Sequence, residues 1–184
     1  MINIPLANPS RELDHISNFK DKFDQQIRGG VYVGGENVNN FESNFKGFIG
    51  SKYCVSLNSG TDALILSLIA LGIKKGDRVL VPSFTFFSTV ECVLHLGAIP
   101  VFVDINLQNF TIDLDDFVEK ANTQIKAAIP VHLFGNDSQI TEIKKICSKR
   151  NIKLVEDVAQ AFGSRDEKNN NLGSIGDIGA FSFF

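Results

Sequence analysis

Cysteine is scarce in this sequence of 184 residues, and its three cysteines form no recognisable pattern. Cys54, Cys92 and Cys147 lie far apart and include no Cys-x-x-Cys pair, which argues against a zinc site or a disulfide framework. All three stand in apolar stretches, so we expect buried cysteines that pack as small hydrophobic residues. The sequence therefore predicts no metal site.

The sequence also lacks a basic excess and a long apolar run. The formal net charge is −3, and no basic stripe interleaved with aromatic residues is present, which argues against a nucleic-acid partner. The longest apolar run, residues 63–73, is interrupted by Ser67 and is too short to cross a bilayer. No signal peptide is recognised at the N-terminus. We therefore expect no membrane partner, and a cytoplasmic location follows as the default.

Helical periodicity marks the first fifty residues. An apolar stripe that follows Ser10, its candidate N-cap, predicts one helix that ends at Gly29. A second stripe predicts a helix from Val38 to Ile49, closed by Gly50. We assign residues 1–50 to an N-terminal helical segment.

Short apolar runs alternate with helical patterns from residue 53 onward. Candidate strands cover residues 54–57, 78–81, 99–103, 127–131, 153–156 and 180–183. Candidate helices cover residues 62–71, 88–96, 114–121 and 139–150, the third with Asp113 as its N-cap. This order predicts an α/β fold of three layers, in which a mostly parallel sheet lies between two layers of helices. The carboxyl ends of its strands share one edge, where ligands of such sheets bind.

Two polar or terminal segments complete the pattern. Residues 165–171 contain three consecutive asparagines and predict a surface hairpin or loop. The last residues resemble a buried aromatic strand with nothing after it, which would leave apolar surface exposed. We therefore expect the sequence to be a fragment of a longer protein.

A first candidate site lies at residues 58–64, where a predicted strand passes into a helix. Gly60 permits a close approach of the backbone, and unpaired N–H groups at a helix start favour a phosphate. Thr61 adds a hydroxyl donor. An ordinary capped strand–helix turn explains the same residues, so both interpretations stay open at this point.

A second candidate is the acidic pair Glu156-Asp157 at the end of an apolar strand. At least one carboxylate is expected at the ligand edge of the sheet, where it would hold a cation or a protonated heterocycle. The alternative is a solvated acidic strand end.

Aromatic and hydroxyl residues are expected at the same edge. The segment 82–88 follows another strand and places an aromatic ring there, although we prefer core packing for Phe84 and Phe87. Ser182 interrupts an apolar strand, either as a satisfied core serine or as a ligand contact. Together with the acidic pair and the helix start, these residues suit a flat phosphorylated pyridine.

The motifs in this order resemble the DegT/DnrJ/EryC1/StrS family of pyridoxal-phosphate (PLP) sugar aminotransferases. The likeness runs from about residue 4 to residue 184. Its motifs are Ser59-Gly60-Thr61-Asp62-Ala63-Leu64, Pro82-Ser83-Phe84-Thr85-Phe86, Gly97-Ala98-Ile99-Pro100-Val101-Phe102-Val103-Asp104, Pro130-Val131-His132-Leu133-Phe134-Gly135, Glu156-Asp157-Val158-Ala159-Gln160-Ala161 and Gly179-Ala180-Phe181-Ser182-Phe183. Gly34-Gly35 departs from the Gly-Pro usual there.

The resemblance implies the aspartate-aminotransferase fold, that is, PLP-dependent transferase fold type I. Residues 51–184 would be the first part of the PLP-binding large domain, without its remainder and without the small C-terminal domain. Gly60, Thr61 and Ser182 would bind the phosphate of the cofactor, and Phe86 would stack on its pyridine ring.

The resemblance also implies the polar contacts of the ring. Asp157 would pair with the pyridinium nitrogen, and Gln160 would contact the 3-oxygen. The Schiff-base lysine of the family follows the Ser-Phe-Phe segment and is expected beyond residue 184. We therefore expect this piece alone to be inactive and poorly soluble. We assign no catalytic role to His132 or His95.

The implied activity is transamination of a nucleotide-linked keto-deoxysugar, with glutamate as the expected amino donor. The product would feed polysaccharide, lipopolysaccharide or secondary-metabolite biosynthesis, and a homodimer with shared active sites is implied. A PLP-dependent sugar dehydratase, in which histidine replaces the lysine, is an alternative, as is a non-catalytic binding or sensor module. A nicotinamide-binding Rossmann domain is disfavoured because G-x-G-x-x-G does not follow the first strand.

Overall fold

The computed structural model describes residue 8, residues 10–13 and residues 15–183. The chain divides after residue 43 into two compact units. The sequence-based division after residue 50 stays a prediction. Both ends of the family likeness, residues 4 and 184, lie outside the described residues.

Among the described residues of the first unit, two helices precede α3. Helix α1 covers Ser10–Leu13 and α2 covers Phe19–Gly29. The prediction of one continuous helix is therefore wrong, because the chain turns between them and Asn18 adopts a left-handed conformation with φ 58°. Asparagine tolerates this conformation better than most residues. Gly30, with φ 68°, ends α2 as expected from the glycine pair.

Helix α3 covers Glu36–Ile49 and crosses the division between the units. It begins two residues before the predicted Val38 and ends at Ile49 as predicted. The N–H of Gly50 donates to the carbonyl of Lys46 over 2.9 Å, and its φ of 86° stops the helix.

Five parallel strands form the sheet of the second unit, in the order β2-β1-β3-β4-β5. The elements of this unit, after α3, are α4 (Gly60–Ala70), β1 (Arg78–Pro82), α5 (Ser88–His95), β2 (Ile99–Val103), α6 (Leu114–Lys120), β3 (Ile125–Ala128), α7 (Ile140–Arg150), β4 (Lys153–Asp157) and β5 (Ile178–Ala180). A short 3₁₀ helix, Leu133–Gly135, follows β3. The predicted α/β class with a parallel sheet is confirmed.

Side chains alternate across the sheet into two separate cores. Val79, Val81 and Val155 face a core that includes Leu68 of α4 and Cys92 of α5. Strand geometry sends their neighbours to the opposite face. The three-layer prediction is therefore confirmed.

The second core lies on the side of α6 and α7. Leu80 and Leu154 pack there with Phe117, Ile143 and Cys147. Phe117 is fully buried, and such a side chain contributes roughly 1.5–3 kcal/mol relative to an exposed one. Asp113 caps α6 as predicted, since its carboxylate accepts from the N–H of Asp116 over 3.0 Å.

The cysteines follow the packing prediction in part. Cys92 and Cys147 are buried, one in each core, and burial raises the pKa of each thiol to about 12. Cys54 is only half-buried. The hairpin predicted at residues 165–171 is present, because Arg165 and Asn171 form an antiparallel bridge.

The predicted strand at residues 54–57 is absent from the sheet. This segment is irregular, and Tyr53 and Val55 expose 75% and 73% of their surface. A strand requires a neighbouring strand with which its N–H and C=O groups form a ladder, and no ladder among the described residues includes this segment. Strand β5 ends at Ala180, so the predicted strand at 180–183 is also misplaced.

The order of the strands reverses at β1, because β2 and β3 pair with its two opposite sides. Ligands of open parallel sheets bind at such a reversal, outside the carboxyl ends of the strands. The loops that begin at residues 83, 129, 158 and 181 all leave this edge. None of the helices in the described part of the chain has the length and hydrophobicity to cross a membrane.

Candidate active site

The start of α4 combines a capped turn with a close approach of the chain. Ser59 Oγ accepts from the N–H of Asp62 over 3.1 Å, which is ordinary N-capping. A Cβ added at Gly60 would lie 2.8 Å from Cβ and 3.1 Å from Oγ of Ser182. The turn is therefore capped, and only glycine permits the serine to lie so close, while a phosphate at this helix start stays a prediction.

Thr61 connects the start of α4 with the start of α5. Its hydroxyl lies 2.8 Å from the hydroxyl of Ser88, and both side chains are half-buried. The starts of α4 and α5 thus meet at one end of the site, where Gly60, Thr61, Ser88 and Ser182 lie.

Asp157 is buried, with 5% of its surface exposed. Thr89 Oγ1 donates to Oδ2 over 3.0 Å, and the N–H of Ala159 donates to Oδ1 over 3.2 Å. Burial raises the pKa of this carboxyl, although these hydrogen bonds and the nearby His132 work in the opposite direction. The alternative of a solvated acidic strand end is wrong.

Glu156 is fully buried as well, but on the opposite face of β4. Burial by itself would raise its pKa, whereas hydrogen bonds from His132 and from the backbone of Gly176 and Gly173 outweigh burial and lower the pKa. Only Asp157 of the acidic pair faces the start of α5.

Phe86 exposes 72% of its surface, and its carbonyl accepts from the N–H of Thr89 over 3.1 Å. Thr89 therefore holds both the backbone of Phe86 and the carboxylate of Asp157. The prediction that Phe84 and Phe87 pack in the core is wrong, since their side chains are 51% and 64% exposed. Their loop extends beyond the edge of the sheet, where the helices of neither layer cover it.

Gln160 is held by the loop after β3. Its Oε1 accepts from the backbone N–H of Phe134 over 3.0 Å. An amide has one acceptor and two donors, so this bond leaves the NH₂ group as the part that can meet an acceptor.

Sequence reasoning missed Ser88 and Thr89. Thr89 is fully buried and donates to Asp157, while Ser88 meets Thr61. The available signal was a pair of hydroxyl residues at a helix start directly after a strand-end loop. His95 is exposed and His132 is fully buried. Within the described residues, no three histidine, cysteine or acidic side chains gather as a metal site would require.

The parallel sheet, with the start of α4 facing Ser182 and the buried Asp157 at its ligand edge, agrees with the class of PLP-dependent transferases of fold type I. The DegT/DnrJ/EryC1/StrS aminotransferase family matches residues 14–184, and the chain belongs to this family.

The curated relatives include sugar aminotransferases. GDP-perosamine synthase of Vibrio cholerae is 33% identical over 98% of this chain and 48% of its own length. GDP-perosamine synthase of Escherichia coli O157:H7 is 37% identical over 98% and 49%. UDP-2-acetamido-2-deoxy-3-oxo-D-glucuronate aminotransferase of Pseudomonas aeruginosa is 38% identical over 86% and 46%. The chain thus spans about half the length of the curated relatives it matches.

Solved structures give the same fold. DesV of S. venezuelae, in complex with a ketimine intermediate, has a TM-score of 0.92 at 30% identity over 98% of this chain and 49% of that chain. The E. coli GDP-4-keto-6-deoxy-D-mannose-3-dehydratase with bound hydrated PLP has a TM-score of 0.84 at 32% identity, over 96% and 46%.

Proposed function

We propose that the intact protein binds PLP at this edge of the sheet and transfers an amino group to a nucleotide-linked keto-deoxysugar. The observation that carries the proposal is the buried carboxylate of Asp157. Its hydrogen bonds come from neutral donors, the hydroxyl of Thr89 and the N–H of Ala159. A buried carboxylate of this kind gains most from a cationic partner.

The residues present fit PLP at both ends. Its phosphate is an anion, and the start of α4 offers N–H groups beside Thr61, with Gly60 leaving no side chain in the way of Ser182. Its protonated ring nitrogen is a cation, which suits Asp157. The site therefore offers donors at the phosphate end and a negative charge at the ring-nitrogen end, as the charges of the cofactor require.

The bound cofactor would supply an electron sink for the carbon that loses its proton. Asp157 would hold the proton on the ring nitrogen, because its negative charge favours the protonated form. The exposed ring of Phe86 offers a flat apolar face. Gln160 accepts from Phe134 through Oε1, so its NH₂ group would be the part that donates to the 3-oxygen.

The substrate class follows from the relatives. The names of the curated relatives specify GDP-, UDP- and dTDP-linked sugars, so we propose a nucleotide sugar as acceptor and glutamate as donor. We further propose a cytoplasmic homodimer that serves polysaccharide, lipopolysaccharide or secondary-metabolite biosynthesis.

A sugar dehydratase is a second candidate, because the E. coli dehydratase shares this fold at 32% identity. The two activities differ in the residue that meets the cofactor beyond Ser182. Lysine favours the aminotransferase and histidine the dehydratase.

One experiment separates these functions. The intact protein is mixed with PLP, treated with borohydride and digested, and its peptides are analysed by mass spectrometry. The aminotransferase predicts a cofactor fixed covalently to a lysine. Binding that dialysis reverses after borohydride supports the dehydratase or a binding module, and no binding at all contradicts the proposed function.

A further inference from the structure

Glu156 has an unusually complete set of hydrogen-bond donors for a buried carboxylate. Its Oε2 accepts from the N–H of Gly173 over 2.8 Å and from Nε2 of His132 over 3.1 Å. Its Oε1 accepts from the N–H groups of Ile175 and Gly176 over 2.8 and 2.6 Å. A fully buried charge is tolerated when its oxygens are satisfied in this way, and these four donors satisfy both.

The orientation of His132 follows from its second contact. Its Nδ1 lies 3.3 Å from the backbone N of Ser138, which can only donate. Nδ1 is therefore an acceptor, and Nε2 carries the hydrogen that points to Glu156. His132 and Glu156 are both 0% exposed, so the pair is closed to solvent and to ligands.

The donors of Glu156 belong to the turn at residues 173–176, which leads directly into β5. This turn packs against β5 without space for a side chain. A Cβ added at Gly179 would lie 2.3 Å from the carbonyl oxygen of Gly173, and one added at Gly173 would lie 2.3 Å from the ring of Phe181. The position of the turn therefore fixes the path of β5 and of the residues after it.

Ser182 is the next residue after Phe181, and side chains of an extended chain alternate in direction. Phe181 packs against the core on the α7 side. Ser182 faces the other way and meets Gly60 at the start of α4. If the turn moved, its contacts with Gly179 and Phe181 would move these residues too, and Ser182 would shift relative to the start of α4.

We propose that Glu156 is a positioning residue for the phosphate end of the site: it anchors the 173–176 turn and thereby sets Ser182 against Gly60. Glu156 lies on the face of β4 opposite to Asp157, so it acts without touching the cofactor. This inference rests on the proposed function, because it assumes that the phosphate binds beside the Gly60–Ser182 contact, at the N–H groups of the α4 start.

The test compares pyridoxamine 5′-phosphate with pyridoxamine, by calorimetric titration of the cofactor-free intact protein. Neither ligand has an aldehyde, so neither reacts with a lysine, and the ratio of their affinities reports the phosphate end alone. Glu156→Gln places an NH₂ group against donors that require an acceptor. We expect affinity for the phosphorylated ligand to fall roughly tenfold or more, while that for pyridoxamine changes less than about threefold.

Control variants separate positioning from general destabilisation. Phe117→Leu opens a cavity in the same core on α6, which packs against β2 at the edge of the sheet opposite to β5, and should lower the melting temperature while leaving the affinity ratio unchanged. Glu142→Gln removes an exposed carboxylate on α7 and should change neither quantity.

A second pair of variants applies if Glu156→Gln does not fold. His132→Asn removes the donor to Glu156, whereas His132→Gln keeps an N–H at about the reach of Nε2. The preference for pyridoxamine 5′-phosphate over pyridoxamine should fall in His132→Asn and should be close to that of the wild type in His132→Gln.

The outcomes are distinct. If the wild-type protein binds neither ligand, the proposed function fails. If it prefers the phosphorylated ligand and the Glu156 and His132 variants keep that preference, or lose affinity for both ligands equally, the positioning role is refuted and the proposed function stands.

Discussion

Replacing Asp157 with asparagine tests the electrostatic role of the buried carboxylate. The variant preserves shape, and Asn Oδ1 can still accept from the N–H of Ala159. The hydroxyl of Thr89 lies 3.0 Å from that of Thr85, and either can donate. Thr89 can therefore donate to Thr85 and accept from the new NH₂ group. We expect a folded protein whose melting temperature equals or exceeds that of the wild type, because a buried charge has been removed.

Turnover should fall much more than cofactor affinity. A carboxylate about 4 Å from a ring N–H⁺ gains about 4 kcal/mol at an effective dielectric near 20. If most of this energy is lost in the step that forms the carbanion, the rate falls roughly 10²- to 10³-fold. Affinity for PLP should fall by about tenfold or less, since the phosphate contacts remain.

The assay is amino transfer from glutamate to a keto sugar nucleotide by the intact protein, with PLP affinity measured in parallel. Asp115→Asn, which removes an exposed carboxylate on α6, is the matched control and should behave as the wild type. Near-normal turnover of the Asp157 variant would refute the assignment of this residue to the ring nitrogen.

Three further predictions concern the same site. Gly60→Ala should weaken binding of pyridoxamine 5′-phosphate roughly tenfold in calorimetry, because the new Cβ would lie 2.8 Å from Cβ of Ser182; unchanged affinity would argue against a phosphate there. Thr89→Val removes a donor to Asp157 and should lower kcat about tenfold, with the acidic limb of the pH–rate profile moved to higher pH; an unmoved limb would contradict this. Burial raises the folded-state pKa of Asp157, so its stabilising contribution is full below its unfolded pKa of about 3.9 and is lost as pH rises through the folded value. Melting of the cofactor-free protein should therefore show Asp157→Asn gaining on the wild type as pH rises, and a constant difference would oppose this.

The strands and helices of the sheet domain were predictable where local pattern and tertiary packing agree. Residues 99–103 form β2 as predicted, and Asp113 caps α6. The apolar run at 127–131 predicted a strand that starts and ends later than β3. The predicted end is late because apolar character continues past Ala128 to the buried Ile129. Periodicity reports burial, whereas a strand boundary depends on pairing.

Residues 54–57 show even more clearly that an apolar pattern does not by itself make a strand. Their composition predicts a strand, but a strand forms only beside another one, and no β-ladder of the described residues includes this segment. Asn18 shows that a single left-handed residue can divide a helix that periodicity predicts as continuous.

The candidate site was predictable in its charged and glycine positions, because strand ends, helix starts and an acidic pair follow from the order of elements. The sequence could not predict which of Glu156 and Asp157 faces α5, since this depends on which face of β4 packs against that helix. The contact from Thr89 to Asp157 joins residues 68 positions apart. Only the fold brings them together.

A crystal structure of the intact protein with bound PLP tests the central claim most directly. We expect the phosphate beside the N–H groups at the start of α4 and within reach of the hydroxyl of Ser182, with the ring nitrogen within hydrogen-bond distance of the carboxylate of Asp157. A cofactor bound elsewhere, or a ring nitrogen paired with a different group, would contradict it.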